Sequence, residues 1–217
     1  MASRRGLPFV TPMQPTLVSK PFHREGWVYE EKYDGWRMLA YKQGRQVRLV
    51  SRLGRDHTGR FPALAAAIAA VPPTTLILDG EVARFDETLV SRYEWLRQPA
   101  PDRLAIPTLY LGFDCLYAAG RDLRELPLRE RRDWLDDVLH GQHFMFPARR
   151  LAPNGIEAWA EVLARGYEGL VAKDPASPYH GGRTLAWLKL KQPHYREGKR
   201  GGTEAITRLA GLLGSAP

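Results

Sequence analysis

Three times in this chain, charged residues spaced two apart lie inside a short apolar or aromatic run. They are Glu30, Lys32 and Asp34 after Trp27, Asp79 and Glu81 within Leu76 to Phe85, and Lys189 and Lys191 at the end of Leu185 to Lys191. Extended backbone sends successive side chains to opposite faces, so a spacing of two presents each set on one side. The pattern commits these segments to strands, each carrying a charged face that needs water, a partner or a ligand. Two of the sets bring carboxylates and two bring lysines. Together they predict one shared site for an anionic ligand and a metal ion.

The rest of the chain fits around such strands. Residues 1–26 hold four prolines and read as an extended lead-in over the domain surface. Strands are expected over Trp27–Tyr33, Met38–Tyr41, Val47–Ser51, Leu76–Phe85, Leu109–Tyr117, Gly169–Ala172 and Leu185–Leu190. Gly44 suits a hairpin between the second and third of these. Helices are expected at Ala-rich Phe61–Val71, which Pro72-Pro73 ends, and over Ser91–Arg97. Two more run over Pro127–Leu139 and about Ile156–Arg165, where Ile156, Trp159, Ala160 and Leu163 share an apolar face. Helices fall irregularly among the strands, so the fold class is α+β with mainly antiparallel sheets, not a doubly wound parallel fold. No repeat or low-complexity segment occurs. After Lys191 the chain turns polar, Gly-rich and basic, with a short helix expected over Glu204–Leu213.

Composition narrows the function. Lys and Arg number 32 against 24 Asp and Glu, a net charge of +8, which favours a polyanionic partner. The single cysteine, Cys115, excludes an intrachain disulfide and a cysteine zinc cluster, and its apolar strand makes it a small core residue. The longest aliphatic run, Ala63–Val71, is too short to cross a bilayer, and no signal peptide follows Arg4-Arg5. A cytoplasmic address, with no membrane partner, is expected. The six histidines lack metalloprotease spacing, and no Walker A sequence is present. Trp95, Trp134 and Trp159 fit helix core or rim, whereas Trp36, beside Gly35, is placed to line a cleft.

Glu168 and Lys173, in Glu-Gly-Leu-Val-Ala-Lys, add an acid and a base five residues apart. Both can face one pocket only if Glu168 precedes the regular strand or Gly169 admits a bulge. With these the motifs resemble a known set. Lys32-Tyr33-Asp34-Gly35-Trp36-Arg37 resembles motif I of the covalent nucleotidyltransferases, which comprise ATP-dependent DNA ligases, RNA ligases and mRNA capping enzymes. Ser51-Arg52, Leu78–Glu81, Gly112-Phe113-Asp114, Glu168–Lys173 and Trp187–Lys191 are similar to the family's later motifs, in the family's order. Ser177-Pro178-Tyr179 and Gly182-Arg183 resemble the bacterial DNA ligase branch, including the ligase domains of its end-joining enzymes.

The resemblance implies that Lys32 attacks the ATP α-phosphorus, forming a lysyl-AMP phosphoramide and releasing pyrophosphate. It implies that Glu30 accepts from the adenine amino group and that Phe113 stacks on the base. Arg37 and Arg52 would contact sugar and phosphates or the nick 5′-phosphate. Glu81 and Glu168 would serve the ribose and a divalent metal, Mg²⁺ or Mn²⁺. Lys173, Lys189 and Lys191 would hold the α-phosphate and leaving group. Physical chemistry agrees with these assignments: an ammonium cannot attack phosphorus, and neighbouring cations or a bound metal favour the neutral amine, while Glu30 and Asp34 oppose it. The implied activity is sealing of nicked DNA in repair. The alternatives are an RNA acceptor, as in RNA ligases or capping enzymes, and a non-catalytic nucleotide- or DNA-binding accessory.

DNA ligases of this branch carry an OB domain after motif V, with basic residues that orient pyrophosphate. Only 26 residues follow Lys191, against roughly 40 or more for a five-stranded barrel. The expected organisation is a nucleotidyltransferase domain over 1–191 and a basic tail over 192–217, without an OB domain. Three compensations stay open. The tail's His194, Arg196, Lys199 and Arg200 replace the missing cations, a separate protein supplies the OB or clamp function, or the chain joins only pre-adenylated DNA. Leu53, where many ligases have asparagine, has no account from the sequence.

Overall fold

The protein is described by a computed structural model that covers residues 6–97, 107–193 and 195. Two sheets face each other. The smaller has the order β1-β10-β9-β2, from Met13–Leu17, Gly182–Lys191, Gly169–Lys173 and Val28–Lys32. The larger has the order β4-β3-β5-β6-β7, from Gln46–Ser51, Trp36–Gln43, Thr75–Ala83, Leu109–Ala118 and Arg121–Asp122, with β8 (Met145–Pro147) also on β6. Among the described residues only β1/β10 and β6/β8 pair in parallel; the other strand pairs are antiparallel, as the α+β reading expects.

Alternation sorts the side chains of the smaller sheet. Lys32 and Lys191 both lie opposite Gly169, Glu30 and Lys189 lie opposite Val171, and Val28 and Trp187 lie opposite Lys173. These residues share the face toward the larger sheet. The other face carries Tyr29, Leu170, Ala172, Leu188 and Leu190, buried under helix α4 (Gly155–Arg165) with Ala158 and Val162. Helix α1 (Pro62–Ala70) and α3 (Leu128–Leu139) cover the outer side of the larger sheet through Leu64, Ile68, Leu135 and Val138. Between the sheets, Val10 and Met13 of the lead-in pack with Leu39, Ile77, Leu116 and Trp187.

Several expectations need correction. The lead-in contains a strand, β1, whose prolines concealed it; its partner β10 is remote in sequence. The helix expected over Ser91–Arg97 is the four-residue α2, Glu94–Arg97. Asp34 lies in the turn past β2 and does not continue the face of Glu30 and Lys32. The stripe Ile156, Ala160 and Leu163 on α4 points outward, with Ile156 53% and Leu163 52% exposed. Ala158 and Val162 form the buried line instead, and only Trp159 of the expected face packs inward in part. Pro127 precedes α3 as its cap residue, and α3 buries Arg131 and Arg132, which its charged sequence did not suggest. Asn154 starts α4 by accepting from the Ile156 N–H at 2.9 Å, and Gly166 ends it at φ 70. Cys115 is buried in the core, where burial pushes its thiol well up. The helix expected over Glu204–Leu213, the tail cations and the 192–217 boundary, apart from residues 192, 193 and 195, lie outside the described residues.

Candidate functional site

The charged face of the smaller sheet opens onto a cleft closed by the larger one. Glu30, Lys32, Lys173 and Lys189 line one wall; Trp36, Arg37, Glu81 and Phe113 line the other, and Ser51, Arg52 and Leu53 form a rim. Gly35 makes the wall continuous, because a Cβ there would stand 2.5 Å from the Val82 carbonyl oxygen and 2.8 Å from Glu81 Cγ. Trp36 lies on this wall with its indole 4.3 Å from the His57 ring and an edge toward Phe61.

The inner end of the cleft is dry. Lys173 Nζ donates to Glu30 Oε2 at 2.5 Å, and both residues are 2% exposed. The other Glu30 oxygen, Oε1, is 3.3 Å from Arg132 Nη1 but makes no hydrogen bond. The Lys173 ammonium sits 4.6 Å from the Phe113 ring centroid and 4.4 Å from that of Trp187. Burial pulls Lys173 below the ordinary lysine range, and the Glu30 carboxylate opposes that shift.

The outer end is a chain of charges centred on Lys32. Its Nζ donates to Glu168 Oε2 at 2.5 Å, while Lys191 Nζ holds Oε1 of the same carboxylate at 2.7 Å. Glu168 stands immediately before β9, so it escapes strict alternation and reaches the site while Lys173 stays on the same face. Lys189 is pulled downward by partial burial first and then by the like charges of Lys32, Lys191, Arg183 and Arg52. Glu81 is pushed up to about 8 by burial, against the attraction of Lys32 and Arg37.

Two residues of the expected set are engaged within the fold. Arg37 makes a two-pronged pair with Asp79, Nε to Oδ1 at 2.9 Å and Nη2 to Oδ2 at 2.6 Å, with its guanidinium carbon 5.2 Å from the Phe113 ring centre. Burial works against the charge on Arg37, but the attraction and hydrogen bonds of Asp79 more than offset it. Asp79 also accepts from the Tyr179 hydroxyl at 2.6 Å, and that oxygen accepts from the Met13 N–H at 2.9 Å. The Asp79 oxygens are thus committed to Arg37 and Tyr179, which takes Asp79 out of the anion-and-metal face expected from the Asp79/Glu81 pattern. Trp187 and Val171, which lie inside quoted motifs but were given no role, also border the inner cleft, as do Ala148 and, through the ion pair, Arg132, which no short motif marks. Arg132 had a signal only in retrospect: an arginine on the inner stripe of an amphipathic helix.

Carboxylate oxygens of Glu81 and Glu168 offer hard ligands beside Lys32. No group of three or more acidic, His or Cys side chains stands ready for a metal among the described residues. One or two carboxylates completed by phosphate oxygens is the donor set that suits Mg²⁺. Among the described residues no helix is long and apolar enough to cross a membrane.

Comparison with known proteins agrees with this layout. The family model described as ATP dependent DNA ligase domain matches residues 12–191, from β1 through β10. The multifunctional non-homologous end joining protein LigD of Pseudomonas aeruginosa is 34% identical over 186 residues, 84% of this chain and 22% of that protein. A probable DNA ligase of Anaeromyxobacter sp. (strain K) is 38% identical over 182 residues, 76% of this chain and 34% of that protein. The chain therefore spans about a third or less of the length of these relatives. A solved structure of mycobacterial DNA ligase D complexed with ATP and MES superposes with a TM-score of 0.72 at 31% identity, over 83% of this chain and 60% of that one. With every strand that lines the cleft inside the matched residues, the chain belongs to the ATP-dependent DNA ligase domain family.

Proposed function

We propose that this chain is a nucleotidyl-transfer module that loads AMP onto Lys32 and passes it to the 5′-phosphate of nicked DNA, in a repair reaction carried out in the cytoplasm. The observation that carries the reading is the position of Lys32. Its amine is the centre of a cleft with carboxylates and lysines at one end and a dry, aromatic-walled carboxylate at the other. The dry end suits a flat base with an exocyclic amine: Phe113 offers a ring face, and Glu30 Oε1 is a buried acceptor with no hydrogen bond. The outer end suits phosphates, which Lys189, Lys191, Arg52 and the rim cations neutralise.

In the first step the Lys32 amine, once deprotonated, attacks the α-phosphorus. A nitrogen–phosphorus bond forms, the bond to the bridging oxygen breaks, and pyrophosphate leaves. Arg37, fixed by Asp79, and Lys173, fixed by Glu30, orient sugar and phosphate with little reorganisation. Glu81 and Glu168 would hold a divalent cation, Mg²⁺ or Mn²⁺, which would supply charge neutralisation on the phosphates. In the second step the 5′-phosphate displaces Lys32, and in the third the 3′-hydroxyl displaces AMP. A separate protein supplying the OB or DNA-clamping function completes the assembly in this reading.

The test uses ATP labelled in its α-phosphate. Incubation with Mg²⁺ is expected to leave one AMP on the wild-type protein and none on Lys32→Ala, with ATP preferred to GTP and a DNA nick to an RNA one. Preference for GTP or RNA moves the chain to another branch of nucleotidyl transfer. Absence of both a lysyl-AMP adduct and sealing of a pre-adenylated nick overturns the reading.

A further inference from the structure

The strand that ends in Lys191 does not simply leave the site. The Gln192 N–H donates to the Glu168 carbonyl oxygen at 3.0 Å, and its side-chain amide donates to the Tyr167 and Val162 carbonyl oxygens at 2.6 and 3.3 Å. The chain then turns, with the Tyr195 N–H on the Gln192 carbonyl at 3.3 Å. That turn returns the Tyr195 hydroxyl to the segment after β2, 3.3 Å from Asp34 Oδ2 and 3.1 Å from the Ser91 carbonyl oxygen. Burial, and then the Asp34 carboxylate, push the phenol above its ordinary range.

Asp34 is two residues beyond Lys32, in the turn that carries β2 into β3. Its N–H donates to Ser91 Oγ at 2.7 Å, and its Oδ2 accepts from the Tyr93 N–H at 3.4 Å. Gln192 thus contacts the backbone of Glu168, which pairs with Lys32, and Tyr195 contacts Asp34, two residues beyond Lys32. Asp34, Glu168, Gln192 and Tyr195, with Lys191, border one open cavity.

We infer that Tyr195 is a positioning residue for Lys32, holding the Asp34 turn so that the amine is aimed into the cleft beside Glu168. This rests on Lys32 being the nucleotidyl acceptor. The tyrosine does not touch the reacting atoms. It acts through Asp34, so it governs how often the amine is aligned for attack and not how tightly the nucleotide binds.

Full-length Tyr195→Phe, which keeps the ring and removes the hydroxyl, is the test. Single-turnover AMP transfer is expected to slow about tenfold, with half-saturation by ATP changed less than about twofold and the melting temperature nearly unchanged. Paired with Asp34→Asn, the double variant is expected to be no slower than the slower single one, because both remove the same link. Hydrogen exchange without nucleotide gives an independent arm: the Asp34 and Tyr93 amides are expected to exchange faster in Tyr195→Phe, while the Ala172 and Leu188 amides do not change. Wild-type transfer rates, rates that multiply in the double variant, or unchanged exchange at Asp34 and Tyr93 would each overturn the inference. If the wild type forms no lysyl-AMP at all, the proposed function falls, and the exchange arm still decides whether Tyr195 holds the turn.

Discussion

The two ends of the cleft are built from the same strands and the same residue types, yet they behave as different materials. At the inner end Glu30 and Lys173 are sealed between sheets with aromatic rings around them. At the outer end Lys32 and Lys191 share one carboxylate, and their side chains are 19% and 48% exposed. A sealed pair cannot exchange partners without leaving a buried charge, so it is a fixed part of the scaffold. In the outer cluster two lysines divide one acid and Lys191 is half exposed, so Glu168 can give up one lysine to an incoming phosphate and keep the other. In the proposed reading, rigidity sits where a base would be recognised, and exchangeability where bonds would change.

The comparison can be broken by substitutions at either end. Lys32→Ala should have the largest effect, removing AMP transfer altogether while the denaturation midpoint moves little; a variant that still forms an adduct shows that another residue is the acceptor. Lys173→Ala should cost about 3 kcal/mol in urea unfolding, because it leaves Glu30 in the dry end with the longer Arg132 contact in place of its hydrogen-bonded lysine. A loss near zero there would mean the inner end is as compliant as the outer.

A third prediction concerns pH. Burial pushes Glu31, on the opposite face of β2 from Lys32, up to about 8 from its ordinary 4.5, against the opposing pull of Arg149. The folded state then holds a proton that the unfolded state has released, so Glu31's contribution to stability is complete below about pH 4.5 and is lost as pH rises toward 8. Wild type is expected to lose roughly 1–3 kcal/mol more than Glu31→Gln between pH 5 and pH 8.5 in denaturant titrations. Parallel curves for the two proteins would refute it. The smallest effects belong to exposed positions: Lys191→Ala and Leu163→Lys should each change stability by less than about 0.5 kcal/mol, measured the same way.

What the sequence disclosed followed from short-range regularity. Alternation placed Lys32, Glu81 and Lys189 on strands, and the order of the motifs brought them into one cleft. Features that depend on distant partners were hidden. β1 is defined by Gly182–Thr184 and Leu188–Lys189, more than 160 residues away, and its own sequence offers little. Arg132 looks like any surface arginine in a charged helix until Glu30 and the Ala148 carbonyl are seen beside it. The apolar stripe of α4 was visible, but periodicity shows only that residues share a face, not which way it points. The packing of Ala158 and Val162 decides that, with small residues inward because α4 lies close on β9. Tyr195 escaped notice because its role needs Asp34 and Ser91, both far upstream.

The order β1-β10-β9-β2 has a consequence for synthesis. The first two strands of that sheet are made early, but they do not touch each other; the last two are inserted between them. Until the ribosome has delivered residues 169–191, Lys32 has neither Glu168 nor a neighbouring strand, and the aspartate–arginine wall opposite faces nothing. Closing such long loops is slow, so this sheet should form in the last folding event, after the β3–β6 sheet has condensed. A nascent chain therefore contains Lys32 well before the strands that complete its cleft have been made.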